Sequence, residues 1–358
     1  MQRDITMLLI TTSDPIRTAI RCIDKNSCGI ALVIDDSGHL LGTITDGDIR
    51  RAILAGQNLD APVNDFLKHK SESSPQRPVT APLGTDLQDL LILMKEKSIR
   101  QVPLLDEKDK VADLVVMEDV MPINGPLFEA VIMAGGKGAR LRPLTEDLPK
   151  PMLPVGGRPL MERMVEQLHQ AGIRHVNVMT HYKPEKIIQH FGDGRKYGVE
   201  LIYVNEDLPL GTGGALGLLT RPRETQLVVN GDILTQVDFK AMLMFHQDNK
   251  ADMTVAVRRY EMIVPYGVVE CEGIQIRSLK EKPQLRFFVN AGIYLLEPSV
   301  YEFIPTVQYF NMTDLIQWLL DAGQTVVSFP IREYWLDIGE YSDYKKAQDD
   351  IENGTIDF

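Results

Sequence analysis

The sequence predicts an α/β protein in two parts: a small α+β module repeated in tandem over residues 1–122, then a larger domain with a mostly parallel sheet over residues 128–358. Three observations predict this. A helix, two strands and a helix recur at a constant offset in the first third of the chain. After Phe128, apolar strands alternate with amphipathic helices. Between the two lies MPINGPLFEA, where Pro122, Asn124, Gly125 and Pro126 break regular structure, so 123–127 reads as a linker.

The first copy opens with IRTAIRCIDKN, which places Ile16, Ile20 and Ile23 on one helical face. ALVIDDSGHLLGTITDGDIRRAI then runs apolar, acidic turn, apolar, into a helix starting at Asp46 to Asp48. In the second copy LQDLLILMKEK sets Leu87, Leu90, Leu91 and Met94 on a face, and VPLLDEKDKVADLVVMEDVM repeats the two strands. Thr45 aligns with Val116 and Asp48 with Asp119, each 71 residues on. Such a tandem resembles a pair of cystathionine-β-synthase (CBS) modules. In that family the Thr and Asp of the Gly42, Thr45, Asp48 pattern hold the ribose or phosphate of an adenine nucleotide. The second copy has Asp113 for the glycine and Val116 for the threonine, keeping only Asp119, and valine cannot hydrogen-bond a phosphate. On residue chemistry alone, Asp48 and Asp119 are helix caps. The resemblance implies a homodimer or higher homo-oligomer through the modules, with an adenine nucleotide or a downstream nucleotide-sugar as ligand.

In the larger part FEAVIMAGG, RHVNVMT, VELIYVNE and QLVVNGD read as strands. PLMERMVEQLHQAG, PEKIIQHFGDG and FKAMLMFHQDN read as helices. Ligands of such sheets bind beyond the carboxyl ends of the strands, so glycines and acids there are the places to look.

Composition narrows the function. Hydrophobic content of 44% and charged content of 25% are those of a globular chain, which excludes disordered and fibrous classes. No apolar run approaches the ~18 residues of a membrane span. The N-terminal MQRDITMLLITTSDP lacks the pattern of a secretory signal. The net charge of −12 is shared by both parts, so neither is a basic nucleic-acid binder, and an anionic ligand must be held by a few focused groups. Cys22, Cys28 and Cys271 have no metal-ligand spacing and point to a reducing cytoplasm. His181 and His246 have no partner set around them and read as ordinary polar residues; the 15 methionines read as core filler.

The strongest local signal is VIMAGGKGARLRPLTEDLPKPMLPVGGRPL, residues 131–160. Ala134, Gly135, Gly136 and Gly138 follow a strand directly, where glycines let backbone amides approach phosphates. A dinucleotide fingerprint fails because Leu141 stands where the third glycine belongs. A Walker loop fails because Gly138, not Ser or Thr, follows Lys137. What remains, Gly-Gly-x-Gly-x-Arg-Leu followed by Pro-Lys-Pro, resembles the sugar-phosphate nucleotidyltransferase family. The expected fold is therefore a Rossmann-like nucleotidyltransferase domain preceded by the CBS pair. Arg140 matches the position that clasps the β and γ phosphates. Lys150, stiffened between Pro149 and Pro151, matches the lysine beside the reacting α-phosphate. Ala139 replaces the usual Thr or Ser, removing one hydroxyl donor.

Further segments extend the resemblance. LGTGGAL matches the second glycine loop at Gly211, facing base and sugar. Glu206, five residues earlier, stands where thymidylyl and uridylyl members carry glutamine; a carboxylate accepts both donors of the guanine edge. Asp232 in NGD and Asp337 in YWLDIGE match the carboxylates for Mg²⁺, which is usually bound through one or two carboxylates plus substrate phosphates. Tyr266, Gly267, Glu281, Asn290 and Gly292 match sugar-binding positions, and Lys282 the holder of the sugar phosphate. No hexapeptide repeat follows Asp337, so acyltransferase activity is not expected. The expected activity is transfer of GMP from GTP to a sugar 1-phosphate. This fusion resembles the glucosamine-1-phosphate guanylyltransferases of bacterial legionaminic acid synthesis. The alternatives are a uridylyl- or thymidylyltransferase on glucose 1-phosphate and an inactive nucleotide-sensing protein.

Overall fold

The computed structural model describes residues 4–26, 28–71, 78–120 and 128–356, so the linker expected at 123–127 lies outside them. The chain divides into two compact units, Met1–Gly125 and Pro126–Phe358.

The first unit holds β1 (Leu9–Thr11), α1 (Ile16–Asn26), β2 (Ile30–Ile34), β3 (Leu40–Thr45), α2 (Asp46–Leu54) and α3 (Val63–Ser71). The second copy follows as β4 (Ala81–Pro82), α4 (Leu87–Lys97), β5 (Gln101–Leu105), β6 (Val111–Val116) and α5 (Met117–Val120). The expected repeat is present residue for residue. Ile30 pairs Thr45 in one sheet and Gln101 pairs Val116 in the other, each pair displaced by the same 71 positions. Both ladders also carry a bulge at the equivalent step, Val33/Ile34 and Leu104/Leu105. His39 bridges Lys110, its own equivalent, so the copies face each other as near-symmetric partners. Leu8, Ile30 and Leu32 pack with Leu114 and Val116 between them. One expectation needs correcting: Leu90 and Met94 of α4 are buried, but Leu87, first residue after the Asp86 cap, is exposed. Helix α3 was not anticipated, because VNDFLKHKS lacks a continuous apolar period; it docks through Val63 and Phe66, with Leu67 partly buried beside them.

The second unit runs β7 (Glu129–Met133), β8 (Pro154–Val155), β9 (Arg158–Pro159), α6 (Leu160–Gln170), β10 (His175–Thr180), α7 (Pro184–Phe191), β11 (Glu200–Asn205), α8 (Gly211–Gly214), β12 (Gln226–Asn230), β13 (Ile233–Thr235) and α9 (Phe239–Asp248). It continues with β14 (Met253–Ile263), β15 (Val268–Glu272), β16 (Gln275–Lys280), β17 (Gln284–Leu296), α10 (Met312–Asp321), β18 (Val326–Pro330), β19 (Trp335–Asp337) and α11 (Tyr341–Glu352). Seven strands form one sheet in the order β11-β10-β7-β12-β17-β14-β18. Only β17 runs against the rest, which gives the mostly parallel sheet expected. β7 and β12 sit centrally and are apolar on both faces, as a strand covered by helices on both sides must be. Ile132, Leu227, Val229, Ile293 and Leu295 are fully buried with the inward faces of α6 and α9. The long β14 and β17 were not among the expected strands. Their first and last halves differ in burial, so neither shows one period throughout.

Leu227→Ala should remove about 2–5 kcal/mol of stability, the range for a buried leucine whose cavity cannot close. Urea denaturation measures it; a loss well under 1 kcal/mol would mean that β12 is not the packed centre of the sheet.

Candidate active site

Three charged groups converge at the carboxyl end of the central strands. Lys150, almost buried, places Nζ 2.5 Å from Asp232 Oδ2 and 3.9 Å from Asp337 Oδ1. Asp232 lies two residues beyond the end of β12. Asp337 arrives from a distant part of the chain because β13 and β19 pair antiparallel, with Ile233 opposite Asp337. The Ile338 N–H donates to Asp232 O (3.1 Å), and the Trp335 indole donates to Ala291 O (2.9 Å), fixing that strand against β17. Partial burial, then the neighbouring Asp232, push the Asp337 carboxyl above the ordinary aspartate value; Lys150 and Arg140 pull it the other way. Among the described residues no cluster of three or more His, Cys, Asp or Glu could hold a metal unaided. Two carboxylates brought together at the strand ends suit a Mg²⁺ completed by substrate phosphate oxygens. The donor set therefore fits the ion that the sequence implied.

The glycine loop leaves β7 toward this cluster. Gly138 sits at φ +60, and a Cβ there would lie 2.8 Å from Thr145 Cγ2 and 3.2 Å from Lys150 Cβ. Glycine is what lets the loop press against the lysine. Thr145 Oγ1 donates to Gly138 O (2.8 Å) and holds the turn. The Ala134 N–H is already committed to Met179 O (2.9 Å), so this residue anchors the loop to β10 rather than offering its amide. Arg140 is exposed at the cluster's edge, beside Gly339.

A cleft of about 340 Å³ opens beside the cluster; Gly135, Gly136, Lys150, Glu206, Gly211, Asn230 and Asp232 are among its lining residues. Glu206 is buried; its Oε2 accepts from Leu210 N (3.0 Å), while Oε1 lies 2.8 Å from where a Gly135 Cβ would be. Lining residues that sequence reasoning missed include His181, Thr212, Tyr309 and Asn311. The sequence reads His181 as an ordinary polar residue. It lines the cleft with Nδ1 2.8 Å from Glu206 O, a placement no local pattern announces. His246 is internal structure, buried between Thr254 Oγ1 (2.8 Å) and Glu297 Oε1 (3.0 Å). Tyr309 and Asn311 reach the cleft because the second glycine loop packs on their segment, with Gly213 and Gly214 N–H both donating to Phe310 O. Asn230 was findable from the NGD motif; its Oδ1 is buried without a partner.

The sugar-binding candidates separate. Asn290 Oδ1 accepts from Gly292 N (2.9 Å). A Cβ on Gly292, at φ +70, would lie 2.5 Å from Asn230 Nδ2, so Gly292 stands behind a residue of the cleft wall without lining the cleft itself. Tyr266, Gly267, Glu281 and Lys282 lie farther along the β14–β17 excursion; Gly267 faces Glu281, and none of the four lines the cleft.

The sequence profile of the family described as "Nucleotidyl transferase" matches residues 129–354. The chain belongs to that family. The CBS domain profile matches residues 1–55 and 74–123, so the nucleotidyl transferase unit follows a CBS pair. Similar proteins include a mannose-1-phosphate guanylyltransferase of Mycobacterium tuberculosis, 34% identical over 63% of this chain and 65% of that one. A UTP–glucose-1-phosphate uridylyltransferase of Synechocystis is 33% identical over 62% of each chain. The chain thus spans less than two thirds of the length of these two. A D-glycero-α-D-manno-heptose 1-phosphate guanylyltransferase of Aneurinibacillus thermoaerophilus is 32% identical over 63% of this chain and 99% of that one. Among solved structures, HddC of Yersinia pseudotuberculosis superposes with a TM-score of 0.50 at 27% identity, over 63% of this chain and 99% of that one.

In the CBS pair, Thr45 and Asp48 form a reciprocal capping box at the start of α2. Asp48 Oδ2 also meets Lys70 Nζ of α3 (2.6 Å), and Oδ1 meets Arg51 (2.6 Å). Burial alone would raise this carboxyl; Lys70, Thr45 and Arg51 outweigh it and hold the group below the ordinary aspartate range. Asp119 Oδ2 accepts from Val116 N (3.0 Å), capping α5 in the same way. Both acids are therefore caps, and a nucleotide reaching Asp48 must compete with Lys70.

Lys70→Met should destabilise the CBS pair by about 1–3 kcal/mol at neutral pH. A depressed aspartate pKa stabilises above the unfolded value and fades as pH falls through the folded one, so the deficit should shrink below pH ~4. Thermal melts across pH test it; a pH-independent deficit would mean the pair contributes packing only.

Proposed function

We propose that the nucleotidyl transferase unit moves a nucleotidyl group, GMP from GTP foremost, onto a sugar 1-phosphate and releases pyrophosphate. The observation that carries this is Lys150 set between Asp232 and Asp337 beside a glycine loop at the strand ends. A sugar phosphate oxygen attacks the α-phosphorus, a new P–O bond forms, and the bond to the β-phosphate oxygen breaks, with the charge leaving on pyrophosphate. Lys150 offsets the negative charge that builds on the α-phosphoryl oxygens. Arg140 and the amides of the glycine loop receive the departing pyrophosphate. Asp232 and Asp337 would hold Mg²⁺, which screens the triphosphate charge. The role of Lys282 on the sugar phosphate, and those of Tyr266, Gly267 and Glu281 on the sugar, rest on resemblance alone.

Guanine is favoured because a buried carboxylate, Glu206, lines the cleft, and a carboxylate can accept both donors of the guanine edge. The guanylyltransferases among the similar proteins agree with it. The uridylyltransferase is the second reading. Glucosamine 1-phosphate is the favoured acceptor, on the architecture of a CBS pair fused to this unit. The CBS pair would regulate the reaction through a ligand that binds active and inactive arrangements differently.

Pyrophosphate release with Mg²⁺, across four nucleoside triphosphates and mannose, glucose and glucosamine 1-phosphates, tests the reading; silence from folded protein leaves a nucleotide sensor. Asp232→Asn should lower kcat by at least ~100-fold with little change in melting temperature. Near-normal turnover would remove Asp232 from the metal site. Glu206→Gln should cut kcat/KM for GTP by roughly 10-fold or more while sparing UTP. Equal losses with both nucleotides would assign Glu206 to the loop cap only.

A further inference from the structure

His181 is the first residue past β10, and Glu206 is the first past β11. The two strands run parallel and end level, Thr180 opposite Asn205, so both residues leave the sheet side by side at its carboxyl edge. One further rung fixes them. The Glu206 N–H donates to Thr180 O (2.8 Å), and Glu206 O lies 2.8 Å from His181 Nδ1. The following residue is tethered as well, because the Tyr182 hydroxyl donates to Thr145 O (3.2 Å) and Glu146 O (3.1 Å). The imidazole therefore stands on a fixed stretch of main chain.

The bond to Glu206 O decides the chemistry of the ring. A carbonyl oxygen only accepts, so Nδ1 carries the hydrogen and Nε2 of the neutral ring is an acceptor. Among the described residues Nε2 has no hydrogen-bond partner. The half-buried ring and the buried Glu206 carboxylate line the same cleft. They meet around Gly135, where a Cβ would lie 2.8 Å from Glu206 Oε1 and 3.3 Å from His181 Cβ. Holding Glu206 O needs only one donor, which a side-chain amide would supply. An imidazole brings a second nitrogen as well.

Guanine presents three N–H bonds on the edge assigned to Glu206: N1–H and the two of its 2-amino group. A carboxylate takes N1–H and one amino hydrogen in parallel. The other amino hydrogen is left over, and burying it without an acceptor is costly. We infer that His181 Nε2 accepts it, which makes His181 a specificity-determining residue for guanine beside Glu206. Uracil and thymine have no amino group to offer. Adenine and cytosine carry theirs next to a ring acceptor, which the carboxylate repels. The inference rests on guanine being the base in the proposed reaction, and the two can fail separately.

Inosine triphosphate lacks only the 2-amino group of GTP. When full-length protein is given both nucleotides in one reaction with an acceptor sugar 1-phosphate, the ratio of the two products gives the ratio of kcat/KM. Any effect of the CBS pair then falls on both alike. Wild type should favour GTP by at least ~10-fold, and His181→Phe should lower that preference by at least ~5-fold. His181→Asn keeps a donor for Glu206 O but removes the second nitrogen, and should lower it as much. Melting temperatures close to wild type confirm that both variants fold. A wild-type ratio near one, or a preference that survives both substitutions, overturns the inference and leaves the guanine reading standing. A preference lost in His181→Phe but kept in His181→Asn also overturns it, since His181 would then serve only to hold Glu206. Turnover confined to UTP or dTTP, or none at all, overturns the guanine reading and this inference with it.

Discussion

Lys150 brings its ammonium, nearly stripped of solvent, into contact with one carboxylate and within reach of a second. A buried cation is costly unless paired, and paired carboxylates this close repel each other unless a cation stands by. The lysine's charge is thus offset by its neighbours, while Asp337 stays half open to solvent. The surrounding chain is arranged to keep them so. Pro149 and Pro151 restrict the backbone that presents the lysine, the turn after β12 carries the first acid, and the short β13–β19 ladder delivers the other.

The glycines around this cluster serve close approach of backbone to backbone as much as ligand binding. Gly138 lets the first loop lean on Lys150; Gly213 and Gly214 let the second share one carbonyl, Phe310 O. Gly292 lets β17 come against Asn230. The cleft is thus framed by main chain at positions where a methyl group would collide, and its few side chains, Glu206 and His181 among them, are held by hydrogen bonds to backbone atoms.

The CBS pair shows how identical backbone can carry different chemistry. Both copies turn from the second strand into a helix capped by an aspartate 71 residues apart. In the first copy that aspartate gains Lys70 from α3, an element with no counterpart at this offset among the described residues. A site already occupied by the protein's own cation responds to a ligand only through competition, which is one physical basis for coupling ligand binding to a change in α3.

The sequence alone determined the fold class, the repeat and its register, the order of the parallel strands with their helices, and the glycine loops at strand ends. These are local properties: hydrophobic period, turn chemistry and spacing within a few dozen residues. It also named Lys150, Asp232, Asp337 and Glu206, because each sits in a motif of its own. Tertiary structure decided what meets what. That Asp337 stands beside Asp232 depends on strands more than 100 residues apart in sequence pairing antiparallel, and that Tyr309 and His181 face one cleft depends on loops from opposite sides of β7. The outer halves of β14 and β17 were equally hidden. Their period is that of any strand, and only the pairing of β14 with β17 shows that Tyr260, Met262, Leu285 and Phe287 share one exposed face. Pattern fixes which side chains share a face, but whether that face finds a partner is a property of the packed chain.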